Sequence, residues 1–158
     1  MLPHMLAFAL LSSDFTPGGR IPQSAAFGRP SCPGGNRSPE LHWTAPPPGT
    51  QSLALVVFDP DASHGGWYHW LVYDLAPSVR SLAAGAALPL GELGFTSFGK
   101  RGYGGPCPPT GPSHHYVFTL YALDARTIAD GTLDGRELLA RMRGHVLATA
   151  QLIGLYGI

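Results

Sequence analysis

Three short stretches gather the side chains able to do chemistry: DPDAS (Asp59–Ser63), GGWYHW (Gly65–Trp70) and GGPCPPTGPSHHY (Gly104–Tyr116). Together they offer carboxylates, imidazoles, a phenol and a loop almost without side chains. Imidazole N–H, tyrosine O–H and exposed backbone N–H groups can hold a small anion without a basic patch. Glycine lets a ligand approach the backbone closely. Proline removes conformational freedom before binding, so less entropy is lost when the site orders. The loop therefore reads as a rigid wall with the imidazoles as its donors. Asp59 is tolerable beside an anion if it shares a proton with it, orients a histidine or receives an ammonium group. Its other role is that of a turn aspartate bonded to its own backbone, the role favoured for Asp61.

Rival chemistries have weaker support. Asp59, Asp61, His64, His69, His114 and His115 include enough nitrogen and oxygen ligands for a metal, but no HExxH, paired CxxC or tight ligand spacing supports one. Gly99-Lys100 is followed by Arg101 rather than Ser or Thr, so it is not a phosphate-binding loop, and no GxSxG elbow occurs. Cys107 sits between prolines with no helix terminus to activate it as a nucleophile. No cofactor, metal or catalytic residue is expected. A hydrolase using Asp59, His69 and His114 as acid–base groups is the alternative, and an inhibitor acting through surface loops such as 14–50, independently of any pocket, is another.

The elements that must position these residues are mostly strands. QSLALVVF (Gln51–Phe58) is apolar and β-branched and stops at Asp59-Pro60, where proline fixes φ and removes a donor. WYHWLVYDL (Trp67–Leu75) and HHYVFTLYAL (His114–Leu123) read as two more strands. Side chains alternate across a strand, so His114 and Tyr116 share a face while His115 points the other way; by the same rule Trp67, His69 and Leu71 share a face. Residues 78–100 carry weak signals. Asp134 can cap a helix with Glu137 at its third position. Leu138, Leu139, Met142, Val146, Leu147, Ala150 and Ile153 then recur at helical spacing. Gly144 weakens such a helix by ~1 kcal/mol relative to alanine, and Gly154 and Gly157 can end it.

The chain has 158 residues, of which 44% are apolar and 13% charged, a size and composition suited to one packed domain, residues 1–158. Its 10 Lys and Arg balance 10 Asp and Glu, so no global field draws in nucleic acid or anionic lipid. Twenty-one glycines and 16 prolines, beside 16 aromatics, point to a mainly β domain rich in ordered turns rather than to disorder. The architecture expected is an antiparallel β-sandwich with a C-terminal α-helix. No stretch approaches the ~18 apolar residues of a membrane span. Met5–Leu11 is expected as a first strand rather than a secretory leader, since no basic residue precedes Arg20. A cytoplasmic location follows as the default, with Cys32 and Cys107 as free thiols.

DPDAS, GGWYHWLVYDL, GYGGPCPP and HHYVFTLYALD, in that order, resemble the phosphatidylethanolamine-binding protein family. NRSPELHW (Asn36–Trp43) and PPPGTQSLAL (Pro46–Leu55) resemble its bacterial branch, often called Raf-kinase-inhibitor-like or YbhB/YbcL type. The resemblance spans residues 13–156. It implies two antiparallel sheets in a Greek-key-like sandwich and a small pocket for phosphate, phosphoethanolamine headgroups or similar anions, carboxylates included. By motif position the pocket would include Asp59, Trp67, His69, Gly105, Pro106, Cys107, Pro108, Pro109, His114 and Tyr116. By analogy with eukaryotic members the resemblance implies a kinase or protease partner, and by analogy with bacterial ones a homodimer. Two departures stand out: Ser63 replaces the proline of DPDAP, and His115 replaces the arginine of H-R-Y.

Overall fold

The computed structural model describes residues 7–85, 91–129 and 131–158. Strands β1 (Leu10–Leu11), β2 (Leu41–Trp43), β3 (Ser52–Asp59), β4 (Trp67–Leu75), β5 (Ser81–Leu82), β6 (Glu92–Leu93) and β7 (His114–Leu123) precede helix α1 (Gly135–Met142) and strand β8 (Val146–Tyr156). Among the described residues they form two antiparallel sheets, in the orders β1-β2-β5 and β6-β4-β3-β7-β8. In the larger sheet β3, β4 and β6 follow one another and β7 returns to the free side of β3, which is the strand order of a Greek key.

β3 runs apolar without alternation because both of its faces are covered. Leu53, Leu55 and Val57 face the small sheet in a core with Leu41, Trp43, Trp70 and Phe118. Ala54 and Val56 face the opposite layer, where Leu133, Leu138 and Met142 close over Leu71 and Tyr73. Trp70, Tyr73, Tyr116 and Phe118 are fully buried, and each such side chain contributes on the order of 2 kcal/mol from its apolar surface. The sandwich expected from the sequence is therefore present.

The C-terminal segment differs from its helical expectation. Asp134 does cap α1, its carboxylate accepting the Glu137 N–H at 2.9 Å. The helix stops at Met142, and Gly144 terminates it with a left-handed φ of 84°. Val146–Tyr156 is a strand that pairs with β7 along its whole length, from Leu123↔Val146 to His114↔Tyr156. Ala150, Leu152, Gly154 and Tyr156 alternate inward, and the long partner strand favours this period of two over the spacing of Leu147, Ala150 and Ile153. Gly154 does not end a helix; it packs under Phe15 and Ile21. Of the strand expected over Met5–Leu11, only Leu10–Leu11 is strand, and Met5 and Leu6 lie outside the described residues. No described helix is long and apolar enough to cross a membrane.

Candidate functional site

β4 carries a bulge that decides what faces the site. Tyr68 pairs with Phe58 and Trp70 with Val57, leaving His69 as an extra residue. Before the bulge Trp67 faces the small-sheet side; after it Trp70 and Val72 do, while Leu71 joins the opposite core. Leu71 thus does not share a face with Trp67 and His69, contrary to simple alternation. The bulge leaves both His69 and Trp70 on the same side, so one imidazole can reach the sheet end without opening the core.

A pocket of about 430 Å³ lies there. Asp59, Trp67, His69, Cys107, Pro108, Pro109, His114 and Tyr116 line it, eight of the ten residues expected. Gly105 and Pro106 do not. The Gly105 N–H donates to Asn36 Oδ1 at 2.7 Å, and a Cβ on Gly105 would collide with the Ala25 carbonyl oxygen. Pro106 accepts the Phe27 N–H at 3.0 Å. This glycine serves close packing of the wall against residues 25–27, not approach by a ligand.

The wall is tied to the bulged histidine twice. Gly104 N–H donates to the His69 carbonyl at 2.9 Å, and His69 Nδ1–H donates to the Gly104 carbonyl at 2.7 Å. That leaves Nε2 as the remaining polar atom of the ring. Burial holds the His69 imidazole below its ordinary pKa, outweighing the bond to Gly104 and the charge of Asp59, which act the other way. His69 is thus a neutral acceptor at Nε2 near neutral pH. Its ring meets Tyr116 edge-on at 5.1 Å and Phe98 at 5.4 Å.

The DPDAS turn holds two aspartate–histidine pairs, one inside and one outside. Asp59 Oδ2 accepts His114 Nδ1–H at 2.6 Å, and Asp59 Oδ1 accepts the Asp61 N–H at 2.8 Å. Asp59 therefore orients a histidine and bonds its own turn at once. Asp61 does not play the turn role favoured for it; its Oδ2 accepts both the backbone N–H and Nδ1–H of His115, each at 2.7 Å. Those two bonds hold the Asp61 carboxyl below the usual carboxylate range. His115 is exposed and outside the pocket, as alternation requires. Burial, with the charge of Asp59 adding to it, pushes the Tyr116 phenol far above its ordinary pKa. Its hydroxyl stays protonated and, among the described residues, has no protein partner, so it is a donor for a ligand.

Cys32 and Cys107 form a disulfide rather than free thiols. Their Cα atoms lie 5.4 Å apart, within the normal span of such a bond. The bridge fastens the turn at residues 28–32, closed by Gly28 N–H to Cys32 O and Cys32 N–H to Arg29 O at 3.0 Å each, onto the pocket wall. That turn carries Arg29, the one Lys or Arg among the described lining residues. Arg29, Phe27, Phe98, Asp61, Ala62 and Ser63 line the pocket without having been expected there. Arg29 and Phe27 had a signal: a Cys32–Cys107 pairing places their segment beside the wall. Asn36, in the NRSPELHW stretch, acts behind it by bonding Gly105 N–H and the Tyr103 carbonyl.

Comparisons with known proteins place the chain in a family. The sequence profile of the family described as phosphatidylethanolamine-binding protein matches residues 11–157. The chain is similar to the Escherichia coli protein YbcL, 37% identical over 96% of this chain and 88% of that one. The crystal structure of YbcL, described as a new member of the mammalian PEBP family, superposes with a TM-score of 0.90 at 34% identity, covering 97% of this chain and 99% of that one. That of a Chlamydia trachomatis homolog described as a putative member does so with a TM-score of 0.87 at 38% identity, covering 96% and 98%. A Mycobacterium tuberculosis relative named putative lipoprotein LppC is 44% identical over 80% of this chain and 63% of its own length.

Proposed function

The chain belongs to the phosphatidylethanolamine-binding protein family, in its bacterial YbcL/YbhB branch, and from that premise we propose that its pocket captures a small phosphate- or carboxylate-type anion. One observation carries the proposal: His69, His114, Tyr116 and Arg29 converge on a single cavity, each with its backbone or ring held in place. Arg29 supplies charge. The Tyr116 hydroxyl supplies a neutral donor that does not ionise. His114, fixed through Nδ1 by Asp59, turns its Nε2 edge to a ligand. His69, neutral and with Nδ1–H already committed, offers Nε2 as an acceptor. Such a set suits an anion that still bears a proton, such as a hydrogen phosphate or a protonated phosphate monoester, because one ligand oxygen must donate to His69 while the others accept. The site would be one of binding rather than turnover.

A kinase or protease partner rests on family likeness alone, so the proposal stops at the ligand. The compartment is a separate matter. The Cys32–Cys107 disulfide supports an oxidising compartment, because cytosolic glutathione keeps such pairs reduced. The lipoprotein name of the mycobacterial relative is in keeping with that. The cytoplasmic expectation implied free thiols at Cys32 and Cys107, and the disulfide does not fit that consequence.

The test is an NMR titration of the histidine side chains with phosphate and with O-phosphoethanolamine in chelator-treated protein. The expected result is that His69 and His114 shift together and saturably while His115 stays still. Absence of any shift at His69 and His114 rejects the proposal. Tyr116→Phe, which removes one donor and no volume, is expected to weaken binding roughly threefold to tenfold without lowering the melting temperature.

A further inference from the structure

A second cavity adjoins the pocket, with three residues lining both. About 460 Å³ in volume, it is lined by Arg29, Lys100, Arg101 and Asn36, and it shares Arg29, Phe27 and Phe98 with the first. We propose that this second cavity is an anion subsite, and that the two cavities together take a small molecule carrying two anionic groups, such as an organic bisphosphate or a phosphorylated carboxylate. The proposal rests on the first pocket's being an anion site.

Charge is the first argument. Lys and Arg number 10 in the whole chain and are matched by 10 acidic residues, yet three of the cations line this one cavity and no Asp or Glu does. Neither Arg29 nor Lys100 has a carboxylate partner among the described residues. Arg101 has one, Glu92, at 3.5 Å with both side chains about half exposed, a pairing too weak to neutralise it. All three cations are exposed, but gathered around one concavity their like charges add to a local positive potential that draws in an anion, more strongly at low salt.

Preorganisation is the second. Arg101 is held in place beside the cavity, Nε donating to the Leu93 carbonyl at 3.0 Å and one terminal nitrogen reaching Glu92 at 3.5 Å. The Lys100 carbonyl accepts from Thr96 N–H at 2.9 Å and from Thr96 Oγ1 at 3.1 Å, fixing the turn that presents its ammonium. The Arg29 guanidinium lies over the Phe27 ring, 5.0 Å from its centroid. Phe27 in turn stacks on Phe98 at 4.9 Å and 22°. The ring pair and Arg29 border both cavities, which places the two sites side by side; in the proposal one ligand reaches across these shared residues and keeps an anionic group on each side. Tethering the second group through the first raises its local concentration at Lys100 and Arg101, so a bis-anion gains over a mono-anion without any new contact in the first pocket.

The experiment compares butyl phosphate with 1,4-butanediol bisphosphate and 1,6-hexanediol bisphosphate by titration calorimetry at physiological ionic strength. It uses the full chain with its disulfide intact, as wild type, Lys100→Gln and Arg101→Gln. The better bisphosphate is expected to bind about tenfold or more tightly than butyl phosphate. Lys100→Gln is expected to remove most of that gain while leaving butyl phosphate and the melting temperature unchanged, and Arg101→Gln to act in the same direction. If butyl phosphate binds and neither bisphosphate binds more tightly, the subsite is rejected and the first pocket stands. If the gain survives in both variants, the second group sits elsewhere and the subsite is rejected. If no phosphate ester binds, both assignments fall.

Discussion

Asp59 Oδ2 and His114 Nδ1 lie 2.6 Å apart, with the aspartate side chain only 3% exposed and the imidazole 16%. The bond fixes which ring nitrogen of His114 is committed to the protein and which is left for a ligand. Asp59→Asn keeps the shape and can still accept the Asp61 N–H, but it removes the carboxylate that holds the ring. Phosphate affinity is expected to fall about tenfold, the usual scale for a hydrogen bond to a charged group, with the fold retained. Titration calorimetry of the variant beside wild type checks it; an unchanged affinity would show that His114 needs no orienting partner.

His69 makes stability depend on pH. Burial depresses its folded pKa, whereas the unfolded chain protonates it near the ordinary histidine value of about 6.5. Below that value the unfolded state binds a proton that the folded state refuses, so stability falls as pH drops from neutrality. The slope contributed by His69 approaches ~1.4 kcal/mol per pH unit between the two pKa values. Melting curves from pH 7.5 to 5 are expected to show this decline, and His69→Gln, which cannot titrate, to flatten it by up to one proton. A wild-type slope identical to that of the variant would be inconsistent with a buried neutral imidazole.

The parts of this molecule that were legible in the sequence are those governed by local pattern. β3, β4 and β7 have runs of β-branched and aromatic residues bounded by Asp-Pro, Gly-Gly and Gly-Pro breaks, and they form where the pattern ends. His114, Tyr116 and His115 sort to their faces because β7 has no bulge near its start. What failed depends on distant partners. The bulge at His69 is set by β4's pairing with β3, and no residue of WYHWLVYDL announces it. β8 was obscured because Leu147, Ala150 and Ile153 suit a helix as well as one edge of a strand; pairing with β7 decides between them. Arg29 reaches the pocket because its segment is fastened to the wall by contacts distant in sequence, the Phe27 N–H to the Pro106 carbonyl and the Cys32–Cys107 bridge across 75 residues.

The same disulfide yields a prediction about binding as well as stability. It closes a loop of 75 residues, for which chain entropy alone stabilises the fold by about 4 kcal/mol. It also anchors the turn that carries Arg29 into the pocket lining, which includes Pro108 and Pro109. Reduction, or the double variant Cys32→Ser with Cys107→Ser, is expected to lower the melting temperature and to weaken phosphate binding by roughly fivefold or more, as one charged contact loses its preorganised position. Calorimetry at a temperature well below unfolding separates the two effects. A large drop in melting temperature with unchanged affinity would mean that Arg29 does not need the tether.

Gly105 shows whether the wall is built for packing. Its N–H is held by Asn36 and its Cα faces the Ala25 carbonyl so closely that a methyl group has no room. The obstacle is backbone, which cannot swing aside as a side chain would. Gly105→Ala is expected to destabilise the fold by about 1–3 kcal/mol through overpacking and to weaken anion binding by displacing Cys107 and Pro108. Gly131 is the control: apart from its chain neighbours, no heavy atom of the described residues lies within 4 Å of the Cβ it would acquire, so Gly131→Ala is expected to stay within about 0.5 kcal/mol of wild type. Denaturant unfolding of the two variants gives the comparison. Equal stabilities would mean that the wall yields at Gly105, and the rigid GGPCPP loop would no longer explain how the pocket keeps its shape without a ligand.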